Sequence, residues 1–349
     1  MNIDNKLPWL LQKKHIAHIE GDHLLIGDRR RYPWEHSYVA CSSVAQIAQA
    51  IAEMVTQGGG PLQVGLTTMR FLAKKIAAGH ESNALTSFAS AVELLAAARP
   101  TNTTMRRTLK RFLKHLQPWY ANDSSQKSLT TFVGSIIDAI EAGFDADYQQ
   151  MSDHGSLLIT NNAGILTTCF AEHTFILSLI KAREQGKSFT VYVPETRPYL
   201  QGARLTAPAL VELGLQVQLI TDGMGAHFMG QGAITHYMTA ADVVAMDGTV
   251  VNKTGTLANA ICAQYYQIPY TVFAMSPDPS IHTASDIVME ERDGKEVLYV
   301  NGKLTTLESI TGRYPAFDCI DPALISHIIT PKGLAFPHEI DSLYGQREK

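Results

Sequence analysis

What most constrains this chain is a change of rhythm near Ser156. Beyond it, the β-rich runs Leu157–Thr160, Phe189–Val193, Val217–Thr221, Tyr237–Val244 and Tyr270–Ala274 are each followed by a segment of helical length, about 10 to 20 residues. These runs are mostly continuous in apolar residues rather than alternating. A strand that reads this way is buried on both faces, as in a parallel sheet covered by helices, so the pattern predicts a Rossmann-like doubly wound domain. In such a sheet, ligands sit at the carboxyl ends of the strands.

The first part of the chain has another texture. Between residues 16 and 40, short apolar runs (His23–Ile26, Tyr38–Ala40) alternate with the turn formers Gly21-Asp22 and Gly27-Asp28, which predicts a small antiparallel sheet. Ser42 and Ser43 precede Val44, Ile47, Ile51 and Met54 at helical spacing, a capped helix that stops at Gly58–Gly60. Helical patterns continue over Val64–Ala77, Ser87–Ala98, Thr104–Leu116 and Leu129–Tyr148. At 349 residues the chain is longer than one core usually grows. The expectation is an α/β protein of two domains: a mostly helical one with a small antiparallel sheet, residues 1–125, and a Rossmann-like one, residues 126–349. The polar stretch Ala121–Lys127 forms the boundary.

Apolar residues make up 45% and charged residues 18%, an ordinary globular balance. The formal net charge is -4 and the pI about 6.3, so no global field draws the molecule to nucleic acid or an anionic membrane. The most basic stretch, Met105–Lys114, carries Leu109, Phe112 and Leu113 at helical spacing and reads as a solvated helix face. The N-terminus has no signal-peptide core, and no apolar run approaches about 18 residues. Cys41, Cys169, Cys262 and Cys319 are scattered, without disulfide or zinc spacing. A cytoplasmic protein without a metal is expected, with no membrane or nucleic-acid partner.

Polar and small residues cluster where strand ends are expected: Thr160–Gly164, Glu195–Pro198, Gln201–Arg204, Thr221–Gly223 and Ala241-Asp242. Asn161-Asn162-Ala163-Gly164 reads either as a phosphate-binding turn at a helix N-terminus or as a plain turn capped by asparagine. Neither GxGxxG nor GxxxxGK[ST] is present, which argues against a nicotinamide or nucleoside triphosphate site. Within Asp242–Thr256, Lys253 can hold a phosphate as a point charge and Asp242 can pass protons to a sugar oxygen; the plain alternative is a capping aspartate and a surface lysine. Arg99, before Pro100, offers a guanidinium that binds phosphate with two parallel bonds, or is simply a surface arginine.

Together these blocks resemble the 5-methylthioribose-1-phosphate isomerases, relatives of the ribose-1,5-bisphosphate isomerases and of the regulatory subunits of initiation factor 2B. The resemblance runs from Ala98–Asn102 through Glu195–Ala207, Leu219–Met224, Ala240–Thr256 and Asp286–Val297 to Tyr314–Gly333. It implies an aldose-to-ketose isomerisation of a phosphorylated pentose, with no cofactor, in a homodimer. It further implies that Asp242 is the catalytic acid, and that Arg99, Gln201, Asn252 and Lys253 contact the phosphate and sugar. The family's cysteine lies in a T-x-C-N-A-G turn. Set against Thr160–Gly164, this turn has Asn161 at the cysteine position, and an amide cannot act as a base near pH 7. Cys169, roughly 12 Å further if helical, then reads as a core cysteine, with Glu172 and His173 as other proton carriers nearby. The family's RGAP turn has become Gln57-Gly58-Gly59-Gly60-Pro61. The expected function is an isomerase of methylthioribose 1-phosphate or a related 5-deoxypentose 1-phosphate. The alternatives are a non-catalytic regulator that binds a sugar phosphate or nucleotide, and a lyase or epimerase in which Asp242 alone moves a proton.

Overall fold

The computed structural model describes residues 3–79, 84–99, 103–121, 129–287, 289 and 291–345. The chain divides into two units, Met1–Ala146 and Asp147–Lys349. The boundary expected from the sequence, at 125/126, lies outside the described residues.

In the first unit, β1 (Ala17–Glu20), β2 (His23–Gly27) and β3 (Tyr38–Cys41) form the expected antiparallel sheet. Helix α1 (Val44–Ala52) begins as its serines predict, with the Ser43 side chain accepting from the Gln46 N–H. Helices α2 (Gly60–Ala77), α3 (Ala84–Ala98) and α4 (Thr103–Ala121) follow, then the long α5 (Leu129–Leu158). Met105, Leu109, Phe112 and Leu116 of α4 enter the core while Lys110, Arg111 and Lys114 are exposed, so its basic stretch is the solvated face of an amphipathic helix.

The second unit is built on a sheet of seven strands. Its strands are β4 (Ala163–Leu166), β5 (Phe189–Pro194), β6 (Gln216–Ile220), β7 (His236–Ala240), β10 (Tyr270–Phe273), β12 (His327–Thr330) and β13 (Gly333–Ala335), in the order β13-β12-β10-β7-β4-β5-β6. All neighbours are parallel except β12 and β13. From β4 the chain moves outward through β5 and β6, then returns to place β7 on the other side of β4. The direction of winding therefore reverses between β4 and β7. Every residue of β4 is buried, and α6 (Glu172–Glu184) is buried along Thr174–Ile180, the continuous apolar signature of a covered parallel sheet. The short strands β8 (Val243–Val244), β9 (Val250–Lys253) and β11 (Phe317–Ile320) make a separate antiparallel sheet; after the short α7 (Ala207–Glu212), α8 (Thr256–Tyr265) leaves β9 through Gly255. No helix among the described residues is long and apolar enough to cross a membrane.

One expected strand is corrected. Leu157–Thr160 is no strand: α5 runs on to Leu158, and the first strand of the sheet begins at Ala163. A short apolar run looks the same at the end of a buried helix as in a buried strand, and here the helix wins.

Candidate functional site

The carboxyl ends of β4 and β7 border the crevice where the winding reverses, which is where an open α/β sheet holds its ligand. The loop Thr167–Ala171 leaves β4 there, and Ala241-Asp242 leaves β7.

The β4 loop is held in a costly conformation. Cys169 has φ +62°, and so does Thr196 just beyond β5, while Leu200 has φ +60°. Non-glycine residues in the left-handed region persist only where their surroundings over-determine them, and they concentrate at functional sites. The surroundings here are explicit. The Cys169 N–H donates to Thr196 Oγ1 at 3.2 Å, and the Thr206 hydroxyl donates to the Cys169 carbonyl at 2.5 Å. Asp222, after β6, accepts from the N–H groups of Thr196 (2.6 Å) and Arg197 (2.8 Å) and so pins the β5 loop. Thr168 and Tyr237 share a hydroxyl hydrogen bond of 2.7 Å, tying the same loop to β7.

The Cys169 thiol is deeply desolvated although the residue as a whole is partly accessible, and burial pushes its pKa up to about 12. Lys253 pulls in the opposite direction, whereas Asp242 and Glu172 push it further up. These electrostatic contacts bring Cys169, Asp242 and Lys253 into one neighbourhood. Asp242 is exposed, and its N–H donates to the Val251 carbonyl at 2.9 Å, which joins the end of β7 to β9.

Asn252 and Lys253 end β9, and both are buried. The Asn252 amide donates to Thr256 Oγ1 at 3.1 Å. Lys253 Nζ donates to the Tyr314 hydroxyl and lies 4.6, 5.8 and 5.9 Å from the ring centroids of Tyr314, Tyr199 and Phe317. Arg292 sits 5.5 Å over the Tyr199 ring. Gln201 is buried, and its Oε1 meets no hydrogen-bond partner among the described residues, which leaves an acceptor ready for a ligand donor. It precedes the π-helical turn Gly202–Thr206, a rare form of helix that is frequent at functional sites.

The sequence places Asn161 in the same constellation, and here the structure differs. Asn161 lies before β4, at the amino end of the sheet, where its Oδ1 accepts from the Ser188 N–H at 2.8 Å and the Ser188 hydroxyl at 3.0 Å. The four residues of β4 separate it from the strand's carboxyl end, a distance on the order of 13 Å or more. The turn Asn161–Gly164 is therefore a plain turn into a strand, not the start of a helix. Arg99 belongs to the first unit, where its Nη1 donates to Met54 Sδ at 2.6 Å. Thr196 lay within the polar cluster Glu195–Pro198, whereas Tyr199, Thr206 and Tyr314 had no signal beyond lying in the blocks that carry the resemblance. Cys169 had one: Thr167-Thr168-Cys169 directly follows the buried run Ala163–Leu166. Among the described residues, no group of three or more His, Cys, Asp or Glu is arranged to hold a metal ion.

Comparison with known proteins gives a consistent result. The model of the initiation factor 2 subunit family matches residues 60–337. The chain is 34% identical over 338 residues to methylthioribose-1-phosphate isomerase 1 of Pseudothermotoga lettingae, covering 93% of this chain and 96% of that protein. It is 35% identical over 327 residues to the methylthioribose-1-phosphate isomerase of Fervidobacterium nodosum, covering 91% and 93%. Among solved structures, 5-methylthioribose 1-phosphate isomerase from Pyrococcus horikoshii superimposes with a TM-score of 0.79 at 26% identity, covering 93% of each chain. The delta subunit of translation initiation factor eIF-2B from A. fulgidus gives 0.77 at 25% identity, covering 93% and 96%.

Proposed function

The chain belongs to the initiation factor 2 subunit family, and on that premise we propose that it is an aldose–ketose isomerase acting on 5-methylthioribose 1-phosphate or a closely related pentose 1-phosphate. The observation that carries this reading is the pairing of Cys169 and Asp242 at the carboxyl ends of the two strands flanking the reversal point, with Lys253 beside them. In this reading Cys169, not Asn161, takes the place of the family's cysteine, since Thr167-Thr168-Cys169 supplies the T-x-C of its turn after the first strand. Phe170-Ala171-Glu172 then stands where the family has N-A-G.

The chemistry asks for two proton carriers. The phosphate ester caps the anomeric oxygen, so the ring opens by cleavage of the bond between C1 and the ring oxygen. Over one turnover the ring oxygen gains a proton and the C2 hydroxyl loses one; C2 also loses its carbon-bound proton and C1 gains one. A carboxyl group suits the transfer between oxygens, which we assign to Asp242, and the sulfur suits the transfer between carbons, which we assign to Cys169. Each carrier gives and takes one proton, so both finish as they began. Gln201 and Asn252 are assigned to the sugar and phosphate, with Lys253 supplying positive charge; Arg99 is assigned to the phosphate on the resemblance alone. The assembly is read as a homodimer, which light scattering tests.

The test is a proton NMR assay with methylthioribose 1-phosphate in heavy water, using the wild type, Asp242→Asn, Cys169→Ala and Asn161→Ala. Conversion lost by at least about 100-fold in the first two variants, and retained in the third, is the expected outcome. Tight binding without conversion by the wild type would instead favour a regulator resembling the initiation-factor branch.

A further inference from the structure

A lysine ammonium is usually exposed, but Lys253 is only 4% exposed and faces three aromatic rings. A buried cation pays a desolvation cost that a specific acceptor must offset. The Tyr314 hydroxyl is such an acceptor, and it reaches Nζ from β-structure that lies 61 residues along the chain. The same hydroxyl is electrostatically coupled to Cys169 as well as to Arg292, Tyr199 and Glu296, and burial raises its own pKa, so it remains neutral while it accepts. After burial, the largest influences on the thiol are Lys253, Asp242 and Glu172, together with a hydrogen bond from the Phe170 backbone. Of these, Lys253 is the only side chain that favours the thiolate.

We propose that Tyr314 is a positioning residue: it holds the Lys253 ammonium beside the Cys169 sulfur, so that this cation serves the thiol rather than standing free to bind phosphate alone. The proposal deepens the isomerase reading, since it assigns Lys253 to the proton carrier of that site. Without the hydroxyl, the enclosed ammonium loses one of its anchors and shifts away from the sulfur. The field that favours the thiolate weakens, and the sulfur becomes less nucleophilic at a given pH. Tyr199 supplies the contrast. Its hydroxyl bonds with Glu296 and Arg292, and only its ring faces Lys253.

The experiment measures alkylation of Cys169 by iodoacetamide between pH 7 and pH 10 in full-length protein carrying Cys41→Ala, Cys262→Ser and Cys319→Ser. Tyr314→Phe, Lys253→Met and Tyr199→Phe are added singly, with circular dichroism confirming that each is folded. The expected result is a rate lowered about 10-fold by Lys253→Met, corresponding to about one pKa unit, lowered at least about 3-fold by Tyr314→Phe, and unchanged by Tyr199→Phe. In the isomerase assay, Tyr314→Phe lowers kcat and leaves KM near its original value. Wild-type alkylation rates in folded Tyr314→Phe, or equal losses in Tyr314→Phe and Tyr199→Phe, overturn the proposal. Because alkylation needs no substrate, a wild type that alkylates as expected but fails to isomerise sinks the isomerase reading and leaves the positioning role standing.

Discussion

The most exacting test of this architecture is a single methyl group at Gly202. A Cβ built there falls 1.8 Å from the Pro194 carbonyl oxygen, 2.9 Å from its carbon and 3.0 Å from Thr196 Oγ1. The first two neighbours are backbone at the end of β5, so no side chain can turn aside. Restoring even a 3.0 Å contact requires the turn and the strand end to separate by about 1.2 Å. Forced overpacking of this kind costs about 1–3 kcal/mol, which lowers the melting temperature by roughly 2 to 10 °C for a unit of this size. The displacement also travels. Thr196 Oγ1 accepts from the Cys169 N–H, and Gln201 adjoins the substituted position, so both would leave their places by an appreciable fraction of an ångström. Misplacement of reacting groups by about 1 Å costs on the order of 100-fold in rate. Gly202→Ala is therefore expected to melt lower and to lose about 100-fold in kcat/KM, measured by circular dichroism and the NMR assay. Gly143→Ala is the control: a Cβ there meets nothing within 4 Å, and alanine favours its helix, so stability should hold or rise by about 0.5–1 kcal/mol. A Gly202→Ala protein with the melting curve and activity of the wild type would refute the close approach and the coupling drawn from it.

Two further outcomes follow from the same contacts. Asp318 Oδ2 accepts from the N–H groups of Gly255 (2.8 Å) and Leu257 (3.0 Å) at the start of α8, so Asp318→Ala should lower the urea midpoint by about 1–2 kcal/mol equivalent with the slope unchanged. Burial lifts the Cys169 thiol from 9.0 to about 12, so the native state keeps this proton while the unfolded chain begins to lose it. That contribution to stability is complete below pH 9 and is lost as pH rises toward 12; raised values at Cys41, Cys319 and Tyr314 act in the same sense. Melting temperature should fall with pH in that window, and less steeply in Cys169→Ser, as differential scanning fluorimetry would show.

Much of the fold could be read from residues alone because the deciding interactions are local. Ser43 caps α1 through a bond to a residue three positions on, and Leu109, Phe112 and Leu116 line up on one face of α4 whatever they pack against. The runs at Phe189, Val217 and Tyr270 carry their strand identity in β-branched and aromatic residues, and all three join one parallel sheet as their rhythm predicts. The block from Ala240 to Thr256, with Asp242, Asn252 and Lys253, was visible for the same reason: one strand, one turn and the next strand bring it together within a short stretch of chain.

Tertiary structure decided the rest. Whether Leu157-Leu158-Ile159 ends a helix or makes a strand depends on what surrounds it, and that choice determines whether Asn161 or Cys169 faces the crevice. Helix α5 takes the run, the strand moves on to Ala163, and the polar turn expected at the site falls at the amino end of that strand. The left-handed Cys169 is stable only because Thr196 and Thr206, 27 and 37 residues away, hold its N–H and carbonyl. Sequence alone left Lys253 as either a phosphate ligand or a surface cation; its burial among Tyr199, Tyr314 and Phe317, from distant parts of the chain, excludes the second. Local pattern chose the residues that build strands and helices; the winding of the sheet, which no short-range pattern encodes, chose which strand ends meet and hence which side chains share one charge environment.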